Sequence, residues 1–176
     1  MIGKIFLIIY LLPLITFISS CSESPKSKKQ IINIDSIIYK PGTKEPFNGT
    51  WKGGIDSLKL EFDVVNGKKE GNFRAYYPNG KLLMSGLMKN NHNVGEWKYY
   101  YDNGAIESSG YFEDDKPEGR WLWYYSDSTL KQSGYFHLGI RDSIWKSYDT
   151  SGVMIDSTVI DSTSMSSDST IPHLPL

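Results

Sequence analysis

The sequence predicts an all-β protein: an elongated antiparallel meander of repeated β-hairpins in a single layer, with a flexible N-terminal tether and a disordered C-terminal tail. Three observations predict it. Four consecutive blocks of 24 residues share one pattern, at 71–94, 95–118, 119–142 and, more loosely, 143–166. The chain holds 12 Tyr, 7 Phe and 5 Trp together with 16 Gly, a composition of strands and turns rather than helices. No stretch after residue 30 sustains a helical period. A fixed period of this size is one supersecondary unit copied along the chain, and such units stack into platforms that bind.

The first 20 residues are a targeting segment rather than part of the fold. Lys4 supplies a positive end, and residues 5–18 form an apolar run broken by Pro13 and Thr16. That run is shorter than the roughly 20 residues of a transmembrane helix and fits a secretory signal peptide. It ends Ile18-Ser19-Ser20-Cys21, and Cys21 is the single cysteine of the chain. This resembles the bacterial lipobox, in which small residues admit the peptidase and the thiol accepts the lipid. The alternative is a cysteine lying by chance beside an ordinary cleavage site or a short anchor. Lipidation of Cys21 predicts a membrane anchor in the bacterial cell envelope, with the outer membrane favoured and the leaflet open. It also leaves no thiol for a disulfide, so packing alone must stabilise the domain. Residues 21–30 are polar and carry Lys26, Lys28 and Lys29, as a solvated tether does.

The repeat domain is expected at 31–161. Residues 31–39 (IINIDSIIY) are β-branched and apolar and predict one first strand, a candidate cap for the array. The turn-rich stretch KPGTKEPFNGTW leads into an irregular first copy at 49–70, two residues short, with the loss between Lys52 and Asp63. Strands of five or six residues are expected.

Within each unit, position three is Trp51, Phe73, Trp97, Trp121 or Trp145, and positions five and seven share its face because strand side chains alternate. Position six is Tyr76, Tyr100, Tyr124 and Tyr148, on the opposite face. The first turn uses Asn79-Gly80, Asn103-Gly104, Asp127-Ser128 and Ser151-Gly152, pairs that tolerate positive φ. The second uses Asn66-Gly67, Asn90-Asn91, Asp114-Asp115 and Leu138-Gly139. Gly86, Gly110 and Gly134, inside the return strand, predict a bulge or room for a neighbouring aromatic ring. The last copy is a frayed cap, with Ser143 in place of Gly and Asp149 in place of Tyr. Residues 162–176 continue a Ser/Thr/Asp-rich run that cannot bury enough apolar surface to order itself.

Reactive chemistry finds no constellation here. A net charge of −1 gives no cationic footprint for nucleic acid. His92, His137 and His173 are scattered, no free Cys remains, and no metal site is expected. The acidic turn Glu113-Asp114-Asp115 lacks the alternating ligands of a calcium loop. No Ser sits in a G-x-S-x-G elbow, and no glycine-rich phosphate loop opens a helix, so neither catalysis nor a cofactor is expected. The aromatic rows remain. Position three serves the sheet's own packing, whereas Tyr76, Tyr100, Tyr124 and Tyr148 are balanced between packing and contact with a partner.

The pattern G-x-W-x-x-Y-Y-x-N-G-x-(I/L)…G-Y-F…G, most complete at 95–119, resembles the MORN variant repeats of bacterial proteins. The resemblance spans roughly residues 36–160. It implies hairpin arrays that contact proteins or lipids, and some members are described as antitoxins. It brings no catalytic residue with it. The expected function is therefore a non-catalytic envelope lipoprotein presenting its repeat sheet to a protein, or to a lipid or glycan. The alternative is an antitoxin or immunity protein that occupies a cognate toxin.

Overall fold

The structure, a computed structural model, describes residues 32–34 and 36–161. The expected signal peptide, Cys21, the tether and the Ser/Thr/Asp-rich tail lie outside the described residues. The repeats form one ten-stranded antiparallel sheet in which neighbours in space are neighbours in sequence. Its strands are β3 (Gly49–Ile55), β4 (Leu58–Val65), β5 (Lys68–Tyr76), β6 (Leu82–Lys89), β7 (His92–Tyr100) and β8 (Ile106–Glu113). β9 (Lys116–Tyr124), β10 (Leu130–His137), β11 (Ile140–Tyr148) and β12 (Met154–Ile160) complete it. The strands run 7 to 9 residues, longer than the sequence predicts. Two-residue turns at one end let pairing continue almost to the tip of each hairpin, and the bulges described below add residues without ending a strand.

The two kinds of turn differ in backbone, and in the opposite sense to the expectation. Asn-Gly at the first turn suggests positive φ at both residues, yet only the second residue is left-handed: Gly80 (φ 85), Gly104 (φ 94), Ser128 (φ 72) and Gly152 (φ 82). The Gly80 N–H donates to the Tyr77 carbonyl at 2.9 Å, closing a four-residue turn with a left-handed residue at its end. The side chain before it completes the turn: Asn79 accepts from the Lys81 N–H, Asn103 from the Ala105 N–H and Asp127 from the Thr129 N–H. The doubly left-handed, type I′ pairs sit at the second turns instead: Asn66-Gly67 (φ 49, 76), Asn90-Asn91 (51, 74), Asp114-Asp115 (48, 65) and Leu138-Gly139 (52, 86). The first copy is short because its hairpin turn shrinks to Asp56-Ser57, which joins Ile55 to its partner Leu58.

Residues 31–39 do not make one strand. β1 (Ile32–Ile34) and β2 (Ile37–Tyr39) form a separate two-stranded sheet, with Ser36 left-handed (φ 63) between them. Nor does this hairpin cap the edge strand. The Ile38 N–H donates to the Gly67 carbonyl at 2.7 Å, and the Asn91 side chain donates to the Ser36 carbonyl at 2.8 Å. It therefore lies along the row of second turns. Gly67 has to be glycine for this: a Cβ there would stand 2.6 Å from the Ile37 side chain and 2.8 Å from the Ile38 carbonyl oxygen. Ile38 is buried with Phe62 and Val64 in a small cluster beside the main core.

The fourth copy is a complete hairpin, not a frayed one. Asp149 replaces the repeat tyrosine and caps the turn by accepting from the N–H groups of Ser151 and Val153. Its weak point is Ser143, which occupies the opening glycine position at φ 59. A left-handed backbone costs a non-glycine residue about 1–2 kcal/mol, part of which glycine's own unfolded-state freedom takes back. Ser143→Gly is expected to raise stability by about 0.5–1 kcal/mol. Urea unfolding followed by tryptophan fluorescence checks it, and an unchanged midpoint would show that Ser143 bears no strain.

Candidate functional site

One face of the sheet carries the aromatic ladder. Trp51, Phe62 and Phe73 stack across β3, β4 and β5 with ring centroids 4.8 and 6.0 Å apart. Phe73 passes the contact to Trp97 at 5.6 Å. Beyond it, position three alternates with the phenylalanine of each return strand. Phe112 stands edge-on to Trp97 and Trp121, and Phe136 edge-on to Trp121 and Trp145. Edge-to-face geometry sets the positive ring edge against the negative ring face, so each phenylalanine locks two indoles. Trp97, Trp121 and Trp145 are buried, Trp121 completely. Burial also pushes the Tyr99 phenol up to about 12, so that it stays neutral.

A single sheet buries such large rings because the rings lie on backbone. The register shifts at each return-strand glycine, between Ser85 and Leu87, Ser109 and Tyr111, and Ser133 and Tyr135. Over Gly86, Gly110 and Gly134 lie the indoles of Trp97, Trp121 and Trp145, each from the following unit. The expected bulge and the expected room for a ring are the same feature. The indole N–H of Trp97 then donates to the Leu87 carbonyl (3.1 Å) and that of Trp121 to the Tyr111 carbonyl (3.2 Å). Trp145, beside the strained Ser143, leaves its indole N–H without a partner among the described residues. The first copy solves the same space differently: Phe62 faces Phe73 across β4 and β5, so two medium rings replace glycine and tryptophan.

Position seven has a role that sequence spacing does not disclose. Tyr77 donates its hydroxyl to the Tyr100 carbonyl at 2.6 Å, Tyr101 to that of Tyr124 at 2.7 Å, and Tyr125 to that of Tyr148 at 2.9 Å. Each bond ties one unit to the next across 23 residues. Burial, then the nearby Glu107 carboxylate, raises the Tyr77 and Tyr101 phenols, which keeps them protonated donors. The sequence signal was a second tyrosine directly after position six; its partner is a carbonyl, which no side-chain pattern marks.

The opposite face holds the predicted contact residues. Tyr76, Tyr100, Tyr124 and Tyr148 all occur there, half-buried, one per hairpin. They pair across their strands with Leu82, Ile106, Leu130 and Met154. Their carbonyls, except that of Tyr76, receive the position-seven hydroxyls, while none of the four side-chain hydroxyls is hydrogen-bonded among the described residues. Exposed Leu87, Tyr111, Tyr135 and Val159 form a second row on this face, paired with Asn72, Glu96, Arg120 and Ile144. Spacing did not single out that row as a contact candidate, although a large side chain (Leu87, Tyr111 or Tyr135) directly after each return-strand glycine marks it. The structure does not place Cys21, which lies outside the described residues.

The acidic turn has no metal-binding arrangement. Asp114 and Asp115 form a type I′ turn, and Asp115 accepts from the Asn93 N–H at 2.7 Å and contacts His92 Nδ1 at 2.6 Å. Among the described residues no group of three or more His, Cys, Asp or Glu is placed to hold a metal ion.

These features define a class: a hairpin-repeat sheet with one face closed by its own aromatic ladder and the other open. The family profile described as the MORN repeat variant matches residues 69–90, 93–114 and 117–137. The three matches begin one 24-residue period apart, in step with the hairpin units, and leave the last copy and nearly all of the shortened first copy outside them. No curated protein matches the chain in sequence.

Proposed function

We propose that this protein is a non-catalytic binding module: an envelope lipoprotein, anchored through lipid on Cys21, that offers its repeat sheet to a protein partner. The observation that carries this reading is the division of labour between the faces. The tryptophan ladder is consumed by the fold, while the tyrosines of the other face stand half-exposed, their hydroxyls unbonded among the described residues. Amphipathic rings with a free polar end are what interface hot spots are made of.

Tyr100→Ser with Tyr124→Ser tests the face, using a crosslinking pulldown through a tag on the C-terminal tail. The double variant is expected to lose its main crosslinked partner while keeping the native tryptophan emission. An unaltered partner list from folded protein removes this face from consideration. Cys21→Ala is expected to abolish acyl labelling and membrane fractionation, and unchanged membrane association would count against the anchor. Neutralising a cognate toxin is a special case of the same binding. Growth rescue on co-expression with that toxin separates it from a general scaffold.

A further inference from the structure

The two edges of the ten-stranded sheet differ. β3 carries Lys52 and the weak strand formers Gly53 and Gly54, as protected edges do. β12, with the sequence MIDSTVI, has no Lys, Arg or Pro. It corresponds in each inner repeat to β6, β8 and β10, whose outer sides receive the next unit. Beginning with Met84↔Tyr99, β6 accepts β7; the equivalent stretch of β12, Asp156–Ile160, has no partner strand on that side among the described residues. The bulge at Ile155 is no obstacle, since the same bulge in β6, at Leu83, precedes a stretch that pairs with β7 from Met84 to Lys89 around one further shift at Gly86.

The chemistry of β12 is symmetric about Ser157. Folded against itself in antiparallel register, Ser157 meets Ser157, Asp156 meets Thr158 and Ile155 meets Val159. Every pair joins like to like or acceptor to donor, and Asp156 and Thr158 lie on one face, that of their β11 partners Ser147 and Trp145. Ile155 and Val159 are the two most exposed large apolar residues described, at 64% and 75%, with Ile144 (47%) beside Val159 on the same face. A second copy turned by a twofold axis through Ser157 would cover both and satisfy the open backbone groups.

We infer that the protein forms a twofold dimer through β12, joining two sheets edge to edge with Ser157 at the axis. The contact is isologous and closes, so it stops at two copies rather than growing into a filament. It leaves the tyrosine faces of both copies open, and holds whether or not Cys21 is lipidated.

The test uses the full-length chain in mild detergent. Ser157→Cys, with wild type as control for Cys21, is expected to form a disulfide-linked dimer on mild oxidation, while Ser109→Cys in the middle of the same sheet does not. Val159→Lys in the Ser157→Cys background is expected to reduce the crosslinked fraction tenfold or more with an unchanged melting temperature. Sedimentation of wild type should give a mass of two chains that Val159→Lys halves. A monomeric wild type overturns the inference, as does equal crosslinking at Ser109. Crosslinking of Ser157→Cys with Ile55→Cys, coupled to larger species, overturns it in favour of head-to-tail growth from β12 onto β3.

Discussion

Gly110→Ala is expected to destabilise the domain by about 3–5 kcal/mol, the scale of losing a buried tryptophan. The added Cβ would stand 2.1, 2.2 and 2.5 Å from Cδ2, Cε2 and Cγ of the Trp121 ring, far inside contact distance. The ring cannot retreat. Phe112 and Phe136 stand edge-on to it at 5.2 and 6.1 Å, Trp123 stacks at 5.8 Å, and its indole N–H is held by the Tyr111 carbonyl. Expulsion of the indole therefore sets the cost, against a total stability of about 5–15 kcal/mol for a domain. Gly104→Ala is the matched control. It has nothing within 4 Å and only a left-handed backbone (φ 94), so it should lose about 1–2 kcal/mol. Urea titration of both variants decides the matter; equal losses would mean that ring-on-glycine packing contributes nothing particular.

Trp121→Ala should cost about 4–5 kcal/mol, the largest effect of any single truncation in this sheet. It removes a side chain with 0% exposure, two edge-to-face contacts and one hydrogen bond at once. Because each unit touches only its neighbours, the loss falls between the second and third full repeats and uncouples the two ends of the array. Trp51→Ala, at the edge and only half-buried, should cost distinctly less. The two central variants are also coupled. With the ring gone, Gly110→Ala meets no obstacle, so the double variant should be little worse than Trp121→Ala alone. A double-mutant cycle is expected to show a coupling of about 3 kcal/mol; additive losses would refute direct ring-on-glycine contact.

Much of this was legible in the sequence, for a local reason. Strand and turn alternation depends on residues close in the chain, so the period, the two turns per unit and the meander follow from spacing alone. The return-strand glycines also announced themselves, since a missing side chain in a strand implies something large nearby. The turn types were not legible. Asn79-Gly80 and Asn90-Asn91 look alike as dipeptides, but loop length decides which pair has both residues left-handed, and loop length is set by where pairing stops. Ile31–Tyr39 read as one strand because Ser36 carries no turn signature. Its left-handed backbone follows from docking against Gly67 and Asn91.

The candidate site divides in the same way. Alternation placed Tyr76, Tyr100, Tyr124 and Tyr148 opposite the tryptophans, and the strands bear that out. The row of Leu87, Tyr111, Tyr135 and Val159 beside them, and the symmetry of β12 about Ser157, gained meaning only when the sheet had a face and an edge. By itself the sequence determined a repeated hairpin and the residues available on each side of it, because side-chain alternation and turn chemistry are properties of neighbouring residues. Only the tertiary structure decided that Trp97, Trp121 and Trp145 lie on the preceding unit's glycine, that Tyr77 reaches the Tyr100 carbonyl, and that β12 has no further partner strand among the described residues. Those contacts depend on bulges that shift the register between strands, and register is a property of the assembled sheet.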